Sequence, residues 1–443
     1  MNLEEIRKNQ AGMILKFSVP AIISMLLTAF ITVADGFFMG NYVGKEGIAA
    51  VNLGLPIVYL YLGVGLMISI GGVAMAGMAL GAGQKEASNH MFRQTIAAAI
   101  AASLLLSCVM LSVFTPMLSF LRAEGEAGRY FREYYWIMLL ELPVMVVNSS
   151  FGMFIRGEGN PGYFLKVTVL NALLNVVFDY LFAGCLTWGA GGIAAASLLA
   201  ALASLLCILW YFWKRASIYR LGSFRFSWPL FVKSMLNGSS EFIGEMSTGL
   251  AMFAYNFVIM RKIGVDGVTA FTIAGYGAYG FSMLVVGFGQ GASPLISFAY
   301  GAKEYELAGA LRKRTNCYVF WAGAAVFLAM SAASGWYGSL FVQNEKIEEM
   351  VCSGMMIFTS AFFFAGINGI TSFYFTATGR ALESAVISLS RGLVVLLICI
   401  FTLPALFGMT GVWMAAPVTE AVTLVITLVF LGREMRFASC RNA

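Results

Sequence analysis

The sequence is short of charge. Only 11% of its 443 residues are Asp, Glu, Lys or Arg, against about 25% in ordinary soluble domains. No sizeable soluble domain fits between its apolar runs. Histidine is limited to His90, so no histidine cluster can hold a metal. GxSxG, HExxH and a phosphate loop are all missing, which removes the usual constellations of serine hydrolases, zinc proteases and nucleotide-driven pumps. The expectation is a protein that is not an enzyme, has no cofactor and is not driven directly by ATP. The seven cysteines (Cys108, Cys185, Cys207, Cys317, Cys352, Cys399 and Cys440) form no CxxC, and six lie inside apolar runs; they read as packing residues. The opening MNLEEIRKNQ lacks the short apolar core and small-residue cleavage site of a signal peptide, so the first apolar run is expected to stay in the mature chain.

What remains is hydrophobic: 60% of the residues, with a mean hydropathy of +0.82. A helix needs about 20 apolar residues to cross about 30 Å of hydrocarbon. Apolar runs and charged breaks give twelve such spans, starting near residues 15, 48, 94, 134, 163, 190, 230, 267, 315, 350, 384 and 411. The fold class expected is therefore all-α integral membrane. With the N-terminus in the cytoplasm, 21 of the 28 Lys and Arg fall inside and seven outside (Lys45, Arg122, Arg129, Arg132, Arg261, Lys262 and Lys346). That asymmetry predicts a multi-pass protein of the plasma (inner) membrane with both termini cytoplasmic. The same placement makes the net charge of +6 a matter of topology, not of nucleic-acid binding.

A basic segment from Lys214 to Pro229 lies in the middle of the chain. Sliding the chain along itself until Gly44 meets Gly264 aligns GKEGIAA (Gly44 to Ala50) with GVDGVTA (Gly264 to Ala270), and ten of 52 ungapped positions are identical. The sequence thus predicts a duplication: an N-terminal six-helix lobe (1–213), a linker (214–229) and a C-terminal six-helix lobe (230–443). Six spans separate equivalent points, so the lobes are parallel repeats about an axis along the membrane normal, facing each other across a V-shaped central cleft. Such rocking pairs are a recurring design of secondary carriers. The second and eighth runs (Gly47 to Gln84 and Gly267 to Ala302) read as long tilted helices. The small-residue pairs Gly77/Gly81 and Gly287/Gly291 would allow close helix contact.

Ionisable groups inside spans are costly and so are functional candidates; here they are Asp35, Glu141, Asp179, Glu241, Glu245, Arg391 and Glu420. Asp35 ends a run from Phe17 to Ala34 that has no other charge, and Asp179 lies thirteen residues beyond Lys166. Both fall in the extracellular half. Asn175 shares a helix face with Asp179. Two carboxylates close together in low dielectric resist double ionisation, so such a nest takes a proton or a hard cation such as Na⁺. From placement alone, Asp35 could instead cap its span and Asp179 meet the outer interface. Glu141, beside Pro143, reads as the start of a span. In the second lobe the repeat sets Tyr255 opposite Asp35. Glu241 and Glu245, four apart on one helix face, could attract a cationic substrate or line an inner vestibule. Arg391 and Glu420 could pair.

The stretches PAIIS (Pro20 to Ser24), ADGFFMGNYVG, GIAAVNLGLP (Gly47 to Pro56), IRGEGNP (Ile155 to Pro161) and NVVFDYLF (Asn175 to Phe182), with GGIAAAS (Gly191 to Ser197) and its counterpart GVWMAAP (Gly411 to Pro417), together resemble the multidrug and toxic compound extrusion (MATE) family. The resemblance covers essentially the whole chain. It implies secondary active efflux of amphipathic, often cationic compounds by antiport against H⁺ or Na⁺, from a monomer surrounded by membrane lipid. Within the DNA-damage-inducible-type (DinF-like) branch, it implies a first-lobe cation site at Asp35, Asn175, Asp179 and Ser197. An asparagine of that branch falls on Gly152, with Asn148 a turn away. The span-seven glutamate of another bacterial branch falls on Gly249, one turn from Glu245. First-lobe coupling is therefore expected, with Glu241, Glu245 and Tyr255 as candidates for a substrate or second-lobe site. The alternative implied is a lipid-linked precursor flippase of the related superfamily, which would want more basic residues in its cavity.

Overall fold

The computed structural model describes residues 2–120, 125–342 and 344–442; for 117–120 and 435–442 it describes the backbone alone. Arg122 therefore lies outside the described residues, as do the side chains of Arg436, Cys440 and Arg441. The helices are α1 (Leu3–Lys8), α2 (Gln10–Tyr42), α3 (Lys45–Leu53), α4 (Leu55–Gly81), α5 (Lys85–Phe120), α6 (Gly125–Glu158), α7 (Pro161–Asp179), α8 (Gly189–Lys214), α9 (Trp228–Lys262), α10 (Val265–Gly301), α11 (Tyr305–Tyr337), α12 (Glu345–Thr359), α13 (Phe362–Ala377), α14 (Ala381–Leu389) and α15 (Val395–Asn442). No strand occurs among the described residues.

Among the described residues, ten helical stretches are long and apolar enough to cross a membrane; α12 and α13, bent by 45° at their junction, make an eleventh crossing. The stretch Ala381–Glu434 runs for 54 residues, far more than one crossing needs. It breaks at Gly408, whose φ of 58° only glycine adopts at no steric cost. Dividing there gives twelve crossings, six on each side of the non-helical segment 215–227. The break falls just before residue 411, where the sequence starts the last span.

Two sequence expectations need correction. The second run is not one long helix: it breaks at Gly54, between α3 and α4. There the Tyr135 ring lies where a Cβ would stand, and Pro56 opens the next helix. Its counterpart α10 is unbroken over 37 residues. The cysteines are also less buried than expected: all six described are free, but only Cys399 is buried and Cys108, Cys185, Cys317 and Cys352 are exposed.

The two halves meet on the side that carries the linker. Helices α4 and α9 cross at Gly71 and Gly238 so closely that a Cβ on the first would lie 2.0 Å from the Ser234 carbonyl oxygen, and on the second 1.9 Å from that of Met67. The anticipated glycine pairs serve the same end. Gly77 and Gly81 face Ser297 and Phe298 of α10, while Gly287 and Gly291 face Ile22 and Ser18 of α2. Buried Arg156 of α6 donates to Gln290 of α10 at 2.9 Å.

Helix α2 belongs to both halves. Its start, with α1, buries Ile6, Ile14 and Phe17 in one core with Leu295, Leu311 and Phe375 of the second half. Further along, Met39 joins the core of the first half. One helix thus connects the contact between the halves with the chamber described next.

Candidate cation site

Three helices of the first half build a polar chamber inside an otherwise apolar wall. Asp35 comes from α2, Asn175 and Asp179 from the last turns of α7, and Ser197 from α8. Asn175 and Asp179 are one helical turn apart, so the backbone alone presents them together. Directly after Asp179 the helix widens into a π turn, Tyr180–Cys185, a local distortion that recurs at functional sites.

The hydrogen bonds run in one direction. Asn175 Nδ2 donates to Ser197 Oγ at 3.0 Å, and Ser197 Oγ donates to Asp35 Oδ2 at a long 3.5 Å. Asp35 and Asp179 reach each other as well, but a bond between two carboxyl groups needs a proton on one of them. Without it, Asp35 Oδ1, Asn175 Oδ1 and both carboxylate oxygens of Asp179 are buried acceptors with no donor. Each unsatisfied buried acceptor costs about 1–3 kcal/mol, more when charged. An all-oxygen set of this kind suits a proton or a hard cation and offers nothing to soft metals.

Two residues of α6 adjoin this chamber: Glu141, read from the sequence as the start of a span, and Tyr134, which the sequence did not single out. Glu141 is buried, within electrostatic reach of Asp35, and Tyr134 stands near Asp35, Glu141 and Asp179. Glu141 does not start a span: it lies in the middle of α6, and Pro143 sits inside that same helix. The usable signal was its depth, roughly 24 Å of helix past Gly125, too far for an interface. Of the two positions flagged near the chamber, Asn148 donates to the Ala201 carbonyl at 2.8 Å. Gly152 lies under the Phe164 ring, where a Cβ would come within 2.2 Å.

The equivalent place in the second half holds Tyr255. Its neighbours include Cys399 and Glu420, and Cys399 is the counterpart of Asp179 in the register that sets Gly44 on Gly264. The two chambers correspond in position and differ in chemistry. Tyr255 stacks on Phe271 at 4.3 Å, and its hydroxyl is buried without a partner. Glu420 is fully engaged: Oε1 accepts from Arg391 Nη2 and Nε at 2.8 and 3.1 Å, and Oε2 from Asn368 Nδ2 at 2.8 Å. Thr427 completes the set by donating to Asn368 Oδ1 at 2.9 Å.

Glu241 and Glu245 stand elsewhere, half-buried on α9. Tyr255 is ten residues from Glu245, about 15 Å along a helix, so the three do not form one site. Glu241 is near Arg391, and Glu245 is near Tyr59 of α4 and Tyr279 of α10. These two tyrosines are counterparts in the same repeat register. They bring matching aromatic groups from the two halves to one acid.

The family model MatE matches the chain twice, at residues 20–181 and 242–401, together well over half of it, and the two matches end at equivalent positions of the repeat. Among curated proteins, the chain is similar to the multidrug export protein MepA of Staphylococcus aureus, at 22% identity over 94% of this chain and 93% of the relative. MepA of Staphylococcus saprophyticus is 20% identical over the same shares. Among solved structures, an outward-facing multidrug resistance MATE transporter of the MOP superfamily superposes with a TM-score of 0.90 at 23% identity, over 97% of this chain and 96% of that one. A MOP superfamily transporter from Pyrococcus furiosus, described by the reverse polarity of its binding pocket, superposes at 0.89 with 23% identity and the same coverage. With twelve crossings in two repeated halves and the family model matched in each, this chain belongs to the MATE family of membrane transporters.

Proposed function

We propose that the chain exports amphipathic, often cationic, organic compounds in exchange for H⁺ or Na⁺, and that Asp35, Asn175, Asp179 and Ser197 hold the coupling ion. The observation that carries this reading is the group of buried acceptor oxygens in the first-half chamber that find no donor in the protein. The names of the MepA relatives support multidrug export as the activity. The assignment to the DinF-like branch is part of this proposal, as are the lobes 1–213 and 230–443 with their linker 214–229, the cytoplasmic termini, the plasma membrane and the monomeric state.

The physical cycle follows from the chamber. With an ion or proton between Asp35 and Asp179, α2 and α7 are drawn together; without one, two carboxylates repel. At about 4 Å and an effective dielectric of about 20 that repulsion is roughly 4 kcal/mol. Reversing a two-state equilibrium from 1:99 to 99:1 takes about 5.5 kcal/mol, so the pair supplies most of the required bias. The change reaches the contact between the halves through α2, whose residues Ser18 and Ile22 lie against α10. Pro20, between those residues, removes one bond of the helical ladder and is the place where α2 can bend. Glu245 with Tyr59 and Tyr279 offers a carboxylate and aromatic faces, the two groups an apolar organic cation prefers. A lipid-linked pyrophosphate would meet acids there.

The test is reconstitution in liposomes with the pH and sodium gradients varied separately. One of the two gradients drives dye efflux by the wild type and not by Asp35→Asn; efflux at the wild-type rate by that variant would remove the assignment.

A further inference from the structure

A groove of about 930 Å³ lies where α8 ends and the linker begins, and none of the chamber residues lines it. One wall is the outer face of α8, where Leu206, Leu209, Trp210 and Trp213 are exposed at the i, i+3, i+4, i+7 spacing of a single helix stripe. The other wall is the linker from Ala216 to Leu221. Two cations line its polar end: Lys214 and Arg220, both exposed. No acid is among the described residues that line it.

The linker wall is fixed in place. Tyr219 is fully buried against Phe92 and Phe154. The Glu158 carboxylate accepts from the backbone N–H groups of Ser217 and Ile218, so it is consumed by the linker and does not face the groove. Asn89 Oδ1 accepts from the Arg220 N–H at 2.9 Å, and Arg93 Nε donates to the Arg220 carbonyl at 2.8 Å. The backbone of Arg220 is thus held at both its N–H and its carbonyl, while its side chain is left to the groove. Lys214 lies over the Trp213 ring at 4.3 Å and Arg215 over Trp210 at 5.0 Å. Such tryptophans mark the headgroup level of a bilayer.

We propose that this groove binds one anionic phospholipid, with an acyl chain along the α8 stripe and its phosphate between Lys214 and Arg220. The charge complementarity is one-sided, cationic without a carboxylate. The apolar wall continues down the exposed face of a spanning helix, which a soluble anion would not use. Basic pockets of this kind at the membrane surface select anionic headgroups. The consequence is that the segment joining the two halves is tied to the leaflet.

The experiment is native mass spectrometry of the full chain in detergent, titrated with phosphatidylglycerol or phosphatidylcholine. Wild type is expected to retain phosphatidylglycerol preferentially. Lys214→Gln with Arg220→Gln is expected to weaken that retention about 25-fold, at about fivefold for each cation removed. The charge-keeping pair Lys214→Arg with Arg220→Lys is expected to preserve it, as is Lys85→Gln with Lys313→Gln, which removes two other cations. Equal retention of the two lipids, unchanged binding by the Lys214→Gln, Arg220→Gln protein, or complete displacement of the lipid by millimolar inorganic phosphate would each overturn the proposal.

Discussion

The two halves share a backbone plan and solve the problem of buried charge in opposite ways. In the first half, Asp35 and Asp179 converge beside Asn175 and Ser197, with Glu141 and Tyr134 adjoining, and four buried acceptor oxygens of the site lack donors. In the second half, the matching positions are Tyr255 and Cys399, and the nearby Glu420 already has its cation, the guanidinium of Arg391. Under the proposed function, the first chamber takes up a mobile positive charge, whereas beside the second Glu420 already holds Arg391. A duplicated fold can thus confine an exchangeable site to one copy by tethering a counter-ion in the other.

The largest effect that would break this comparison is on Asp179. Asp179→Asn removes half of the carboxylate pair, and gradient-driven efflux is expected to fall to the level of empty liposomes while the protein still purifies as a folded species. In the second half the expected damage is structural. Arg391→Gln leaves the Glu420 carboxylate buried without its cation, a loss of about 3–5 kcal/mol, read as a lowered melting temperature in detergent. The double variant Arg391→Gln with Glu420→Gln should recover most of that stability, because a neutral amide pair replaces an orphaned charge. A smaller change should follow Ser197→Ala. It deletes the acceptor of Asn175 and a long bond to Asp35, worth about 1 kcal/mol or roughly a fivefold weaker response to the coupling ion. The smallest should be Tyr255→Phe, which removes a hydroxyl that has no partner. Its transport is expected to match the wild type, with stability unchanged or raised by up to about 1 kcal/mol.

Much of the architecture was readable because it is written in local patterns. Apolar runs of spanning length, charged loops and a repeat that carries Gly44 onto Gly264 are properties of the chain itself, and the span starts read near residues 190 and 411 fall beside the positive-φ glycines Gly189 and Gly408. The Asn175–Asp179 face was legible for the same reason, being one helical turn. The break at Gly54 was not, because its cause is the ring of Tyr135, which arrives from α6. Glu141 was misread because a proline two residues on suggested a helix start, whereas α6 simply contains it. The meeting of Ser197 with Asp35 spans 162 residues of sequence; only the resemblance to a family anticipated it. Tyr59 and Tyr279 were present as an identity within the repeat, yet their nearness to Glu245 depends on how the halves face each other.

The most direct measurement sets the two chambers side by side: dye efflux from liposomes under an imposed proton or sodium gradient, for wild type, Asp35→Asn, and Arg391→Gln with Glu420→Gln. Gradient-dependent efflux should vanish in Asp35→Asn and persist in the second-half double variant. Persistence in Asp35→Asn with loss in the double variant would contradict the account, because it would place the exchangeable charge in the half that already holds its own.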